Sequence, residues 1–198
     1  MNDFTLWFTT GLEHIADWNG YDHILFLLVL CAGYSPAEWR KILILITAFT
    51  VGHSLTLALS ALHIFTIRSG ITEFLIPVTI LFTAVVNLVR LRRPPAKRGR
   101  TIYLMALVFG CIHGMGFSYL LLSMLGDASA IAGPLFAFNL GLEAGQLIIV
   151  AGVLAVSLFL SALIRIQPAD KTFFISSAVF GIAFIMMLER FNALLTSQ

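Results

Sequence analysis

The feature that most limits what this chain can fold into is a recurrence of apolar runs about as long as a bilayer is thick. A hydrocarbon core ~30 Å across takes about 20 apolar residues of helix, within a range of roughly 17–25. Six such runs can be read, over residues 20–33 (reaching 36), 41–63, 72–91, 101–125, 134–164 and 172–195. The first is short, and the fifth is long enough to tilt or protrude. Only 11% of the residues are charged and 59% are hydrophobic, whereas roughly a quarter of a soluble domain is charged. The expectation is one integral membrane domain over 1–198: an all-α, polytopic helix bundle of about six transmembrane helices. The amino end lacks the basic flank and small-residue cleavage site of a signal peptide, so no removal is expected. Cys31 and Cys111 lie inside apolar runs and read as small buried hydrophobes rather than a disulfide.

Lys and Arg set the orientation. Arg40 and Lys41 follow the first run. Arg90, Arg92, Arg93, Lys97, Arg98 and Arg100 lie between the third and fourth, and Arg165 and Lys171 between the fifth and sixth. All fall on one side, while Arg68 and Arg190 fall on the other. The positive-inside rule makes the first side cytoplasmic. Both termini then face outward, from an inner (plasma) membrane of bacterial type. The stretch RLRRPPAKRGR reads as a topology signal touching anionic lipid, and no nucleic-acid partner is expected. Whether the chain self-associates is left open by one sequence.

Before the first run, Phe4, Phe8, Leu12 and Ile15 recur at helical spacing, opposite Asp3, Thr9, Glu13 and Asp17. That pattern suits an amphipathic helix over 1–19 on the outer face. Asn19-Gly20 reads as a turn. Asp22 and His23 then stand at the mouth of the first run, the last wet place before the bilayer.

Ionisable groups inside a bilayer are costly and default to a functional reading. His53 and His113 each lie about twelve residues, at ~1.5 Å rise per residue, from the cytoplasmic start of parallel runs, so they sit at matched depth. A lone buried histidine is more often a hydrogen-bonded core residue. Two at one depth, beside the small residues Gly110, Gly114 and Gly116, tip the balance toward a site. Thr50, His53 and Ser54 mark the second run. In the fifth, Asn139, Glu143 and Gln146 share one helix face. Thr79, Thr83 and Asn87 form another polar face, which reads as packing. The candidate ligands are His14, Asp22, His23, His53, His113 and Glu143, with Thr50, Ser54, Asn139 and Gln146 as polar lining. Imidazole and carboxylate donors suit divalent nickel, cobalt, zinc or copper. Adjacent residues on a helix point about 100° apart, so Asp22 and His23 need not bind one ion together, and orienting an imidazole is the alternative role for Asp22.

Four blocks carry a resemblance: GLEHIADWNGYDHILFLLVL, FTVGHSLTLALSAL, FGCIHGMGFSYLL and FNLGLEAGQL. Together and in this order they resemble the HupE/UreJ family of membrane proteins. The resemblance implies a secondary permease for nickel or a related metal, of the kind associated with hydrogenase and urease maturation. Family members show a His-x5-Asp-His element. Here the spacing is His14-x7-Asp22-His23, two residues longer, while Asp22, His23, His53, Ser54, His113, Glu143 and Gln146 match their blocks directly.

The leading expectation is therefore a metal permease and not an enzyme, with the metal, nickel foremost, as its partner along with membrane lipid. The competing expectation is a membrane-embedded zinc-type hydrolase using the same His/Asp/Glu cluster, with Glu143 or Asp22 as general base. His-Glu-x-x-His and Gly-x-Ser-x-Gly are both absent from the sequence. A third is a haem protein with His53 and His113 as axial ligands.

Overall fold

The computed structural model describes residues 3–18, 20–62, 64–65, 67–92, 99–125, 131–164 and 166–196. Asn19, His63, the basic stretch 93–98 and Arg165, all used above, lie outside the described residues. Among those described, every regular element is helical. The order is α1 (Asp3–Ala16), α2 (Asp22–Cys31), a 3-10 turn (Pro36–Glu38), α3 (Trp39–Ala61), α4 (Ser69–Leu91), α5 (Thr101–Leu125), α6 (Ala132–Ile164) and α7 (Pro168–Thr196). Five of them, beginning with the turn that leads into α3, are long and apolar enough to cross a membrane. The run read as the first span yields only the ten residues of α2, about 15 Å of helix. A turn holding Gly20 precedes it and Pro36 closes the segment that follows.

Glycines decide which helices pair most closely. A Cβ on Gly11 would strike the carbonyl of Phe138 and crowd Leu142 N, and one on Gly141 would strike the carbonyl of Phe8 and crowd Leu12 N. The same shift in number, 130, carries 8, 11 and 12 onto 138, 141 and 142. The contact is therefore reciprocal, and because Gly145, further along α6, meets Leu12 and Ile15, further along α1, the two helices run parallel. A second pair repeats the device. Gly52 meets Leu107 and Cys111, Gly110 meets Phe49 and His53, and a shift of 58 relates the two sets. α3 and α5 are thus parallel as well. Missing side chains let backbones approach, which is how small residues drive helix pairing where the surroundings are apolar.

The amino-terminal helix expected to present Phe4, Phe8, Leu12 and Ile15 instead buries Trp7, Gly11 and Ile15, with Gly11 and Ile15 against α6. Phe4 is exposed. The packed face is rotated from the apolar stripe because glycine, which adds nothing to a hydrophobic pattern, marks the closest contact.

α4 and α7 form the third pair and are antiparallel, since Glu73 meets Arg190, Phe74 meets Phe191 and Asn87 meets Ser176. α2 stands between the pairs. It is apolar all round and buries His23, Leu25, Phe26, Leu27, Val29, Leu30 and Cys31, as a central helix must. Its carboxyl end lacks the partners a longer helix would supply. Asn87 Nδ2 donates to the Val29 carbonyl at 2.7 Å, and Thr172 Oγ1 to the Ala32 carbonyl at 2.9 Å. Asn87 also reaches Ser176 Oγ at 3.3 Å. The polar face of α4 is thus spent on α2's backbone at this end.

A candidate metal centre of four histidines

Four helices each bring one imidazole to the level where α1 gives way to α2. His14 comes from the last turn of α1 and His23 from the first turn of α2. His53 comes from α3 and His113 from α5. The Gly52–Gly110 contact brings the last two helices together, and Gly114 lies directly on the His53 backbone. One ring nitrogen each of His14, His23 and His53 lies within 4.8 Å of the others. The His113 ring is centred 5.1 Å from that of His23. His53 is 0% and His113 1% exposed. His14 is half-buried as a residue, with its Nε2 fully out of water's reach.

The hydrogen bonds fix which nitrogens are free. Asp22 Oδ1 lies 3.1 Å from His23 Nδ1 and 2.9 Å from its backbone N. A carboxylate only accepts, so the proton sits on Nδ1 and the lone pair on Nε2. His23 Nε2 is buried and unpartnered. Thr79 Oγ1 donates its one proton to the Ile76 carbonyl at 2.7 Å and lies 3.1 Å from His113 Nε2. At that contact the hydroxyl accepts, so Nε2 carries the proton and Nδ1 keeps its lone pair. His113 Nδ1, His14 Nε2 and both nitrogens of His53 are likewise buried without a protein partner. Buried polar atoms are normally paired. Here unpartnered ring nitrogens on four imidazoles are left over in one place.

The walls are aromatic. Phe117 packs on His14 with ring centres 3.9 Å apart, and Phe138 stacks on Phe117 at 5.0 Å. Phe26 and Phe49 lie 5.1 and 5.2 Å from the His113 ring. Burial holds the His14 imidazole well below the usual histidine range, and the neighbouring His23 pushes it the same way. A neutral imidazole is the form that ligates a metal.

Five of the six expected ligands are therefore brought together: His14, His23, His53 and His113 with Asp22 behind His23. α1 ends at Ala16 and α2 begins at Asp22, so the longer His14–Asp22 spacing falls between the two helices. Glu143 stands apart from this group. Its Oε1 accepts from Thr47 Oγ1 of α3 at 2.8 Å. Gln146 Oε1 accepts from Thr50 Oγ1 at 2.7 Å, Ser54 bonds the Thr50 carbonyl, and Asn139 Nδ2 bonds the Leu135 carbonyl. Glu143 and Gln146 of α6 thus form a bracket to α3, while Asn139 bonds within its own helix. Thr79 was read as packing, and Thr47 was not singled out. Thr47 lies one turn from Thr50 on the same helix face, and that spacing was its available signal.

The chain is thus a bundle with five helices able to cross a membrane, and it holds converging imidazoles with unpartnered ring nitrogens. The chain belongs to the HupE/UreJ family: the family described as HupE / UreJ protein matches residues 1–191. No curated protein and no solved structure gave a match.

Proposed function

We propose that the protein is a secondary permease for nickel or a related divalent transition-metal ion, with the ion held by His14, His23, His53 and His113. The observation that carries this reading is the convergence of ring nitrogens of His14, His23 and His53 within 4.8 Å, with the His113 ring centred 5.1 Å from that of His23, while each of the four rings has a buried nitrogen without a protein partner. The family's link to nickel and cobalt handling supports it. All-imidazole donors suit nickel, cobalt, zinc and copper, with no thiolate to favour a softer ion. Asp22 fixes the tautomer of His23 and strengthens its Nε2 as a donor. The distribution of Lys and Arg supports an orientation with the His14 end outward and the Arg90–Arg92 end in the cytoplasm, in a bacterial-type inner membrane. Thr83 and Asn87 mark the side on which access then alternates. The sequence carries no nucleotide-binding motif, so a gradient or a partner protein drives net movement. The hydrolase reading is not favoured: of its two candidate bases, Asp22 is engaged in orienting His23 and Glu143 is engaged with Thr47.

The test is metal content and flux. The purified chain binds Ni²⁺, His53→Ala and His113→Ala each lower the bound amount, and proteoliposomes take the ion up. Unchanged metal content in both variants sinks the site. Bound zinc with no flux of any ion turns the reading to the enzyme.

A further inference from the structure

Two chambers meet beside the α1–α2 turn. The inner one, ≈ 180 Å³, is lined by His14, His23, His113, Asp22, Glu73 and Ile76, among others. The outer one, ≈ 360 Å³, is lined by Tyr21, Glu189, Arg190 and Ala193. Gly20 and Asp22 line both. One ion pair stands at the partition. Glu73 belongs to the wall of the inner chamber and Arg190 to that of the outer, and Arg190 Nη1 donates to Glu73 Oε2 at 2.8 Å. Ser69 Oγ donates to Glu73 Oε1 at 2.6 Å. Both carboxylate oxygens are thus engaged, and the pair spans from α4 to α7.

Behind this partition lie His23 Nε2 and His113 Nδ1, buried and unpartnered. Pro77 sits inside α4. It has no N–H to offer the carbonyl four residues back, that of Glu73, so the first turns of α4 are free to bend where the partition is anchored.

We propose that the Glu73–Arg190 ion pair is the outer gate of the histidine cluster, and that Glu73 is the carboxylate that receives a divalent cation from water and passes it toward Asp22 and His23. This rests on reading the cluster as a cation site. The gate selects by sign of charge. A cation in the outer chamber repels Arg190 and attracts Glu73, and both forces part the pair. An anion or a neutral solute does neither. The two side chains are 51% and 41% exposed, so water screens the pair and it holds weakly, as a latch that an ion opens must.

The experiment uses the full chain in detergent with Cys31→Ser, Cys111→Ser and Ile76→Cys, labelled by a small cationic thiol reagent. The labelling needs no metal, so its result is separate from the fate of the metal-site reading, which His53→Ala tests alone. Adding Arg190→Gln raises the labelling rate about fivefold, the scale open to a partly exposed pair. In the chain without these cysteine changes it speeds Ni²⁺ association similarly. The double swap Glu73→Arg with Arg190→Glu restores the clip and the melting temperature. It puts a cation on the inner wall, so Ni²⁺ association falls below wild type. If Arg190→Gln does not fold, Arg190→Lys is read in the same way, since it loses the guanidinium fork. Labelling that is unchanged by either Arg190 variant overturns the gate. A double swap that associates with Ni²⁺ at the wild-type rate reduces the pair to a structural clip and overturns it equally.

Discussion

The two ends of α2 solve opposite problems. At the carboxyl end, buried polar groups are matched: Asn87 serves the Val29 carbonyl, Thr172 the Ala32 carbonyl, and Ser176 completes the set. At the amino end, four imidazoles converge, each with a buried ring nitrogen unmatched. Both ends are buried among apolar helices, where an unpaired polar atom is costly. The matched end explains itself as structure. The unmatched end leaves imidazole donors that, on the permease reading, a metal ion takes up.

The contrast can be broken at several points. The largest effect falls on what holds both ends in place. Gly110→Ala and Gly141→Ala drive a methyl into the backbones of Phe49 and Phe8; overpacking of this kind costs ~1–3 kcal/mol or more. Loss of monodisperse protein in detergent is the readout, with Gly152→Ala as the control because its neighbourhood is open. Next, His53→Gln lowers Ni²⁺ affinity beyond the roughly 10–100-fold expected of an outer-shell partner, with a smaller loss of melting temperature than Asn87→Ala. Conversely, Asn87→Ala leaves the Val29 carbonyl unmet and costs about 1–3 kcal/mol in thermal or denaturant unfolding, while calorimetry shows Ni²⁺ affinity nearly unchanged. An equal effect of these two variants on affinity would erase the distinction between the ends. Asp22→Ala frees the His23 tautomer and lowers affinity by about 10–100-fold. Thr79→Val is the mildest: it removes a hydroxyl partner from His113 and weakens binding by no more than about tenfold.

Helix positions were legible wherever a charged loop bounds an apolar run. The fourth run, 101–125, coincides with α5 because Arg100 precedes it. The histidines were legible because burying an imidazole is costly enough to call for a reason. Three things could not be read. α1 shows helical spacing, but its packed face centres on Gly11, which hydrophobic periodicity does not weigh. Periodicity placed Glu143, Asn139 and Gln146 on one face without saying which neighbour that face meets, and the neighbour of Glu143 is Thr47 rather than a histidine. The pairing of α1 with α6 joins segments more than a hundred residues apart and depends on tertiary contact alone.

The reciprocal glycine contacts have a mechanical consequence. Helices in backbone-to-backbone contact cannot slide past one another without a clash, so α1–α6 and α3–α5 each behave as one stiff plank. The imidazoles are shared out among the planks: His14 rides on the first, His53 and His113 on the second, and His23 on the short α2 between them. On the permease reading, a bound ion is a rivet through separate parts. Releasing it inward then takes a relative displacement of planks, with every helix intact, and the force that resists that displacement is the metal's own coordination.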